Sequence, residues 1–575
     1  MKSKQSRRDF LRATVSGVGL AALPALATER PALAFDNTTF PNLHDLPKKP
    51  DSSIHDAVKL AIKSLVDDGL DDIFPRPFEL ALLARDPALQ QGLFSSTVAW
   101  LEHSGHTGRR VLPAHTVLMP KHVRNECRRC TLLDPRDSVR YLALGILVAR
   151  AIEPLRLPRQ TRRVLSYRYD PQGSSLFAPD FDGKTLHEET LARLADDRTT
   201  WLVRTDIKDF YSNITRDCVG GALRRCEVDT RWIDALLEML GSWEASTSPG
   251  IPTGPMASHI LAEAVLIDID KGLIDDGINF IRFVDDYRMF APDAATAREW
   301  IAKLAHRLAA KSLALRADKT YIDVSTKSGY SAALVYRNLG PLAATSEPKP
   351  KCPPDTYRCR PKPPPPKSVN DDLELVDAPR LFAKLKAVDR IDPRDFRLFL
   401  EAGYHRREFS LIADATELLD RSPQSVVYLT ALLVQESFII PHTTRRALAR
   451  TFGASLNARN PIADYEVISI ATLLGNSDYR NPEAILQYLQ SKSDRTSPVV
   501  ARFLLEALDG QVDASTANLL RARYDAAEPW LRRAVTRLAL PHLSMVERSE
   551  LHELEQKDGD PFLQSLLADR ADLAS

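Results

Sequence analysis

The chain has 575 residues, which at about 100–200 per domain is room for about three to five domains. An apolar share of 44% supports more than one core, and a charged share of 27% excludes both a wholly disordered chain and a membrane bundle. Lys and Arg number 77 against 76 Asp and Glu, a net charge of +1 that identifies no partner until it is resolved by region, and six cysteines exclude a disulfide-built scaffold and point to a reducing compartment.

Residues 1–34 read as a leader. Lys2, Lys4, Arg7 and Arg8 form a basic start, a mild apolar run follows from Ala13 to Ala27, and small residues close it at Ala27 or Ala34. Ser6-Arg7-Arg8-Asp9-Phe10-Leu11-Arg12 resembles a twin-arginine export motif, which would place the protein in the periplasm. A basic amphipathic arm is the alternative. Beyond the leader no apolar run reaches the roughly 18 residues of a spanning helix, so no stable membrane span is expected.

Residues 50–200 are expected to form an N-terminal helical and fingers region. Between Arg109 and Arg168 it holds 14 Lys and Arg against four Asp and Glu. So unbalanced a stretch reads as a surface for phosphates rather than as an ordinary solvated face. Cys127-x-x-Cys130 is half of a zinc pattern, but Cys218 and Cys226 complete no common spacing, so structural thiols are expected.

Three segments then carry chemistry. Trp201-Leu202-Val203-Arg204-Thr205-Asp206-Ile207 is a β-prone run ending in an acid. Gly250-Ile251-Pro252-Thr253-Gly254-Pro255 is a rigid turn leading into an apolar helix. Phe280 to Phe290 is a pair of β-prone arms meeting at Asp285-Asp286. Two strand-borne acids that converge can hold two Mg²⁺ ions about 3.5–4 Å apart, one to acidify an attacking hydroxyl and one to neutralise a triphosphate. Carboxylates suit Mg²⁺ because it is hard and keeps several waters.

In this order, with Asp206 and Asp285 seventy-nine residues apart, the segments resemble those of a reverse transcriptase (RNA-directed DNA polymerase) of the palm-polymerase superfamily. The resemblance covers about residues 110–345 and implies an α+β fold with palm, fingers and thumb. It implies Asp206, Asp285, Asp286 and Lys319 as catalytic, and Asp206, Ile207, Asp285 and Asp286 as holding two Mg²⁺ ions, with Mn²⁺ the alternative. It implies Lys121, Arg128, Arg129, Tyr211, Thr253 and Gly254 as nucleotide-binding, and Asn338, Leu339 and Gly340 as the primer grip. Tyr211, five residues beyond Asp206, matches an aromatic gate whose ring leaves no room for a ribose 2′-hydroxyl. The partners implied are dNTPs, an RNA template and a DNA or RNA primer, or a non-coding RNA. Such substrates favour the cytoplasm over export.

The chain departs from the commoner motif at Thr253, where Gln is usual. Gly-Ile-Pro-Thr-Gly-Pro, Tyr287-Arg288 after the acid pair and a long helical C-terminus resemble the abortive-infection and other defence-associated bacterial enzymes. This likeness points to antiphage defence. It also opens template-independent or protein-primed synthesis as alternatives to copying RNA. The remaining alternative is a non-catalytic helical scaffold or RNA-binding protein.

The palm and the start of the thumb are expected over 201–345 and a Pro-rich linker over 346–370. From Pro348 to Pro366 nine of nineteen residues are proline, which reads as a semi-rigid spacer that few contacts cross. Residues 371–575 have helical period throughout, with breaks at Asn476, Gly510 and Pro541. An all-α domain of solenoid or HEAT-like form is expected there, offering a surface for RNA or for a second copy of the chain.

Overall fold

The computed structural model describes residues 54–568 except 72, 103–110, 121–126, 171–174, 197–198, 245–249, 325–375, 459–462, 493–495 and 525–526. The leader, the Pro-rich linker, Lys121 and the primer-grip residues Asn338, Leu339 and Gly340 lie outside the described residues. The chain divides into two compact units. One comprises 52–330 together with 426–575; of the other, residues 376–425 are described.

In the larger unit, helices α1 (Ile54–Asp68), α2 (Phe78–Arg85) and α3 (Pro87–Glu102) precede an antiparallel hairpin, β1 (His115–Pro120) and β2 (Cys127–Leu132). Helix α4 (Pro135–Ile152) follows at once. Asp134 caps it by accepting from the Arg136 amide at 2.9 Å, and Pro135 supplies a first residue that needs no donor. It is buried along almost its whole length, from Val139 to Ala149.

Next come α5 (Gly183–Arg193), β3 (Trp201–Asp206), the single turn α6 (Phe210–Asn213), α7 (Arg216–Arg225) and α8 (Thr230–Glu244). Helix α9 (Met256–Asp275) crosses α4, and Gly145 permits it: a Cβ there would lie 3.0 Å from the Ala257 Cβ. Tyr141 and Ser258 hydroxyls bond at 3.0 Å beside that crossing. Strands β4 (Phe280–Phe283) and β5 (Asp286–Ala291), helix α10 (Ala294–Ala309) and β6 (Tyr321–Val324) complete a four-stranded sheet in the order β4-β5-β3-β6, antiparallel at every pairing. Helix α10 packs on β3 and β5, and α5 on β4.

The smaller unit holds α11 (Ala378–Ala387), α12 (Pro393–His405) and α13 (Phe409–Asp414). Asp377 and Asp392 cap the first two, each with proline in the first turn. Phe382 and Phe399 stack at 5.1 Å in its core.

The remaining helices return to the larger unit: α14 (Val426–Gln435), α15 (His442–Leu456), α16 (Asp464–Gly475), α17 (Pro482–Ser491), α18 (Pro498–Ala507), α19 (Ala514–Tyr524), α20 (Pro529–Ala539), α21 (Met545–Asp558) and α22 (Pro561–Ala568). Alternate helices α14, α16, α18 and α20 stack on one another, with α15, α17 and α19 packed alongside. This is the helix-pair stacking of a solenoid. The fold is α+β with an all-helical C-terminal region, as the sequence pattern implies.

The compact units divide after residues 330 and 425. The stack from α14 onward shares its unit with the N-terminal helices: Leu540, Phe562 and Leu566 join the same apolar core as Leu83 and Leu93, and charges far apart in sequence are buried together there. Arg502 donates to Glu79 at 2.7 Å, and Arg533 donates to Asp134 and Asp560, each at 2.8 Å. Helix α22 also packs on α2 and α3, and α16 on β1.

Candidate active site

Asp206 is the last residue of β3 and Asp286 the first of β5, and the two are register partners. Asp285 lies in the two-residue turn joining β4 to β5. The sheet therefore gathers the three expected acids at one end. Hydrogen bonds fix the backbone on both sides: the Ile207 amide donates to the Asp285 carbonyl at 3.1 Å and the Arg316 amide to the Asp206 carbonyl at 2.8 Å.

The turn itself is strained. Val284 sits at φ +55°, a left-handed conformation that a β-branched residue rarely takes and that costs about 1–2 kcal/mol. Buried Arg282 braces it, donating from Nη1 to the Val284 carbonyl at 2.9 Å. The same guanidinium meets Glu263 and Asp270 of α9 at 2.9 and 2.6 Å. A buried ionic cluster of this kind contributes little net stability but fixes geometry. Burial alone would raise the Glu263 carboxyl, yet Arg282 and Arg156 outweigh it and hold the group below its usual value.

At the sheet end the balance runs the other way. Burial, then the Asp206 carboxylate beside it, push Asp285 well above the usual carboxylate range. Lys319 reaches across, its Nζ donating to Asp206 Oδ2 at 2.8 Å. Asp286 keeps Oδ2 3.4 Å from Arg288 Nη2. Among the described residues no group of three or more His, Cys, Asp or Glu side chains is gathered as a self-sufficient metal cluster. Two facing carboxylates nonetheless fit Mg²⁺, which binds through one or two carboxylates and completes its shell with water and substrate phosphate. Ile207 has a buried side chain and a committed amide, so only its carbonyl oxygen is left for such a role.

Tyr211 stands one turn beyond the acid, on α6. Its backbone carbonyl accepts from the Ile251 amide at 3.1 Å, and a Cβ on Gly250 would come within 2.2 Å of that same oxygen. Glycine at 250 is thus a condition for the turn to close on the ring-bearing segment. Gly254 sits at φ +121°, and the Thr253 carbonyl accepts from the Thr131 amide at 3.0 Å. The turn is thereby tied to β2, the strand that carries exposed Arg128 and Arg129.

One expectation is corrected by packing. The basic stretch from 109 to 168 does not present its charge outward as a whole. Arg140 pairs with Asp137, Arg162 with Glu189, Arg156 with Glu153 and Glu263, and Arg159 and Arg168 with Glu153. Arg163 meets the carbonyls of Ile278 and Phe280. The structural reading of the thiols fits their environments: Cys130 is wholly buried, and burial raises Cys226 to about 11.

Sequence reasoning passed over His259, Glu263, Arg156 and Arg282. The available signal was a His and a Glu four apart in the otherwise apolar first half of that helix, since buried polar groups require partners.

Residues 147–331 match the family described as Reverse transcriptase (RNA-dependent DNA polymerase). These residues form a reverse transcriptase domain. That domain is accordingly a nucleotidyltransferase of reverse-transcriptase type, and its family implies nucleotides and a nucleic-acid template as partners. No curated protein matches the sequence. Among solved structures, telomerase from Candida albicans in complex with a TWJ fragment of telomeric RNA is similar over 75% of this chain and 68% of its own, with 11% identity and a TM-score of 0.28. Apo telomerase from Candida tropicalis is similar over 77% and 74%, with 10% identity and a TM-score of 0.28.

Proposed function

We propose that the reverse transcriptase domain polymerises DNA on an RNA template, with Asp206 and Asp285 as the central carboxylates and Asp286 beside them. The observation that carries this reading is the convergence of three acids at one end of the sheet: Asp206 and Asp286 are register partners, and the Ile207 amide bonds the Asp285 carbonyl beside them. Asp206, Asp285 and the Ile207 carbonyl would hold a pair of Mg²⁺ ions (or Mn²⁺), which would supply activation of the primer hydroxyl and neutralisation of the pyrophosphate charge. Lys319, 2.8 Å from Asp206, would protonate that leaving group. Arg128 and Arg129 hold the triphosphate by charge-assisted bonds. The Thr253-Gly254 turn supports the nucleotide, and the Tyr211 ring excludes a 2′-hydroxyl.

The test is incubation of the full-length protein with Mg²⁺ and labelled dNTPs, with and without a primed RNA. Incorporation that requires the primed RNA supports the reading. Incorporation without nucleic acid would mean template-independent or protein-primed synthesis. RNA binding without incorporation would leave a scaffold.

For the biological role we propose antiphage defence by a bacterial enzyme working in the cytoplasm, where dNTPs are available. The motif Gly250 to Pro255, Tyr287-Arg288 and the helical C-terminus support this. Phage plating on cells expressing the wild type or Asp285→Ala tests it: equal plating on both would defeat the proposal.

A further inference from the structure

Helix α9 places His259 and Glu263 one turn apart, and together they support the back of the candidate site. Tyr211 Oη lies 2.6 Å from His259 Nδ1, and the two rings meet edge-on with centroids 5.5 Å apart. Tyr167 lies flat on the other side of the imidazole, with centroids 4.1 Å apart and planes within 3°. His259 is 7% exposed, so its orientation is set by these partners rather than by water.

Tyr167 is itself held in a conformation it would not choose. It sits at φ +44°, and Arg156 donates to its carbonyl at 2.8 Å while also meeting Glu263 at 2.6 Å. A strained aromatic residue fixed by a buried ion pair forms the wall against which the imidazole stacks.

The gate residue needs such support. Helix α6 is a single turn that starts from Asp209 at φ +43°, so little regular structure fixes the direction of the Tyr211 ring. A ring that discriminates by exclusion works only if it cannot swing aside, since a displaced ring no longer fills the space a hydroxyl would take. We infer that His259 is a specificity-determining positioning residue: its bond to the Tyr211 hydroxyl and its stack on Tyr167 hold the ring against the sugar of the incoming nucleotide. This rests on reading Tyr211 as the sugar gate.

The experiment measures kcat/KM for single dNTP and rNTP additions by the full-length protein on a primed RNA, and compares their ratio between variants. A general loss of folded enzyme lowers both values and leaves the ratio in place. His259→Ala should lower the preference for dNTP about tenfold and His259→Gln, whose amide can bond the hydroxyl, should recover most of it. Tyr211→Phe keeps the ring and the core but removes the hydroxyl; a drop of about threefold is expected, the scale of one net hydrogen bond. Adding His259→Gln to Tyr211→Phe should change the ratio no further. An unchanged ratio in both His259→Ala and Tyr211→Phe, with a reduced ratio in Tyr211→Ala, would overturn the role of His259 and leave the gate standing. An unchanged ratio in Tyr211→Ala would overturn the gate itself.

Discussion

Where the C-terminal helices meet the N-terminal ones, buried charge is matched; at the end of the palm sheet it is not. Arg533 is fully buried, yet Asp134, Asp560 and Glu79 surround it and hold its charge more firmly than water would. Arg502 likewise meets Glu79 and Glu506. Asp206 and Asp285, by contrast, face each other with Lys319 as a partly exposed counter-ion. Opposite charges buried together fix the geometry of distant parts within one unit and make the loss of either partner costly. Like charges held together in a half-buried site weaken the fold that carries them, and persist where chemistry uses the field they make.

The largest expected effect of breaking this contrast comes from a cut near Pro348. Such a protein loses Arg502 and Arg533 and leaves Glu79 and Asp134 buried without those partners. The apolar faces under α16 and α22 become exposed as well. The shortened protein should be insoluble or unfolded. A soluble, cooperatively melting fragment would show that the clasp is not required. The Pro-rich linker suggests the opposite result, because composition cannot reveal that the chain returns to its first helices.

Next in size is loss of the unmatched pair. Asp206→Ala or Asp285→Ala should lower nucleotide incorporation at least about 10³-fold, since each removes a ligand that no neighbour replaces. Far-ultraviolet circular dichroism and a thermal melt should show both variants folded. Wild-type-like incorporation in either would remove that residue from the site.

A single matched charge gives a smaller effect of another kind. Arg533→Met should cost about 3–5 kcal/mol of stability by leaving Asp134 and Asp560 uncompensated. Chemical denaturation reads this directly. A cost below about 1 kcal/mol would place the clasp among ordinary surface pairs.

The contrast also explains what could be read from residues alone. Asp206, the Gly250 turn and Asp285-Asp286 each sit within a few residues of their own strand and turn signals, so the palm is locally encoded. The Arg282 brace is nearly local too, but its partners Glu263 and Asp270 hide in an apolar helix. His259 hides there for the same reason. The clasp has no local signature: 423 residues separate Glu79 from Arg502. The basic stretch misleads because charge counted along the chain carries no direction, and only packing shows that Arg156 and Arg168 turn inward.

The smallest effect tests the sign of the palm contribution. With Asp285 raised by burial and by Asp206, its ionisation opposes folding at neutral pH in the absence of a cation. The penalty is absent below the ordinary carboxylate range and grows as pH rises toward the elevated value in the folded protein. Asp285→Asn removes it, so that variant should melt higher than the wild type at pH 7 in chelator, and the gain should vanish near pH 4. Mg²⁺ between the two carboxylates removes the same penalty in the wild type. Millimolar Mg²⁺ should therefore add about 1–3 kcal/mol to the wild type and close to nothing to Asp285→Asn. Thermal melts of both proteins, in chelator and in Mg²⁺, at pH 4 and pH 7, measure every term. Equal Mg²⁺ stabilisation of the two proteins would place the cation elsewhere, and a lower melting point for Asp285→Asn at pH 7 in chelator would show that the Asp206–Asp285 contact favours the fold.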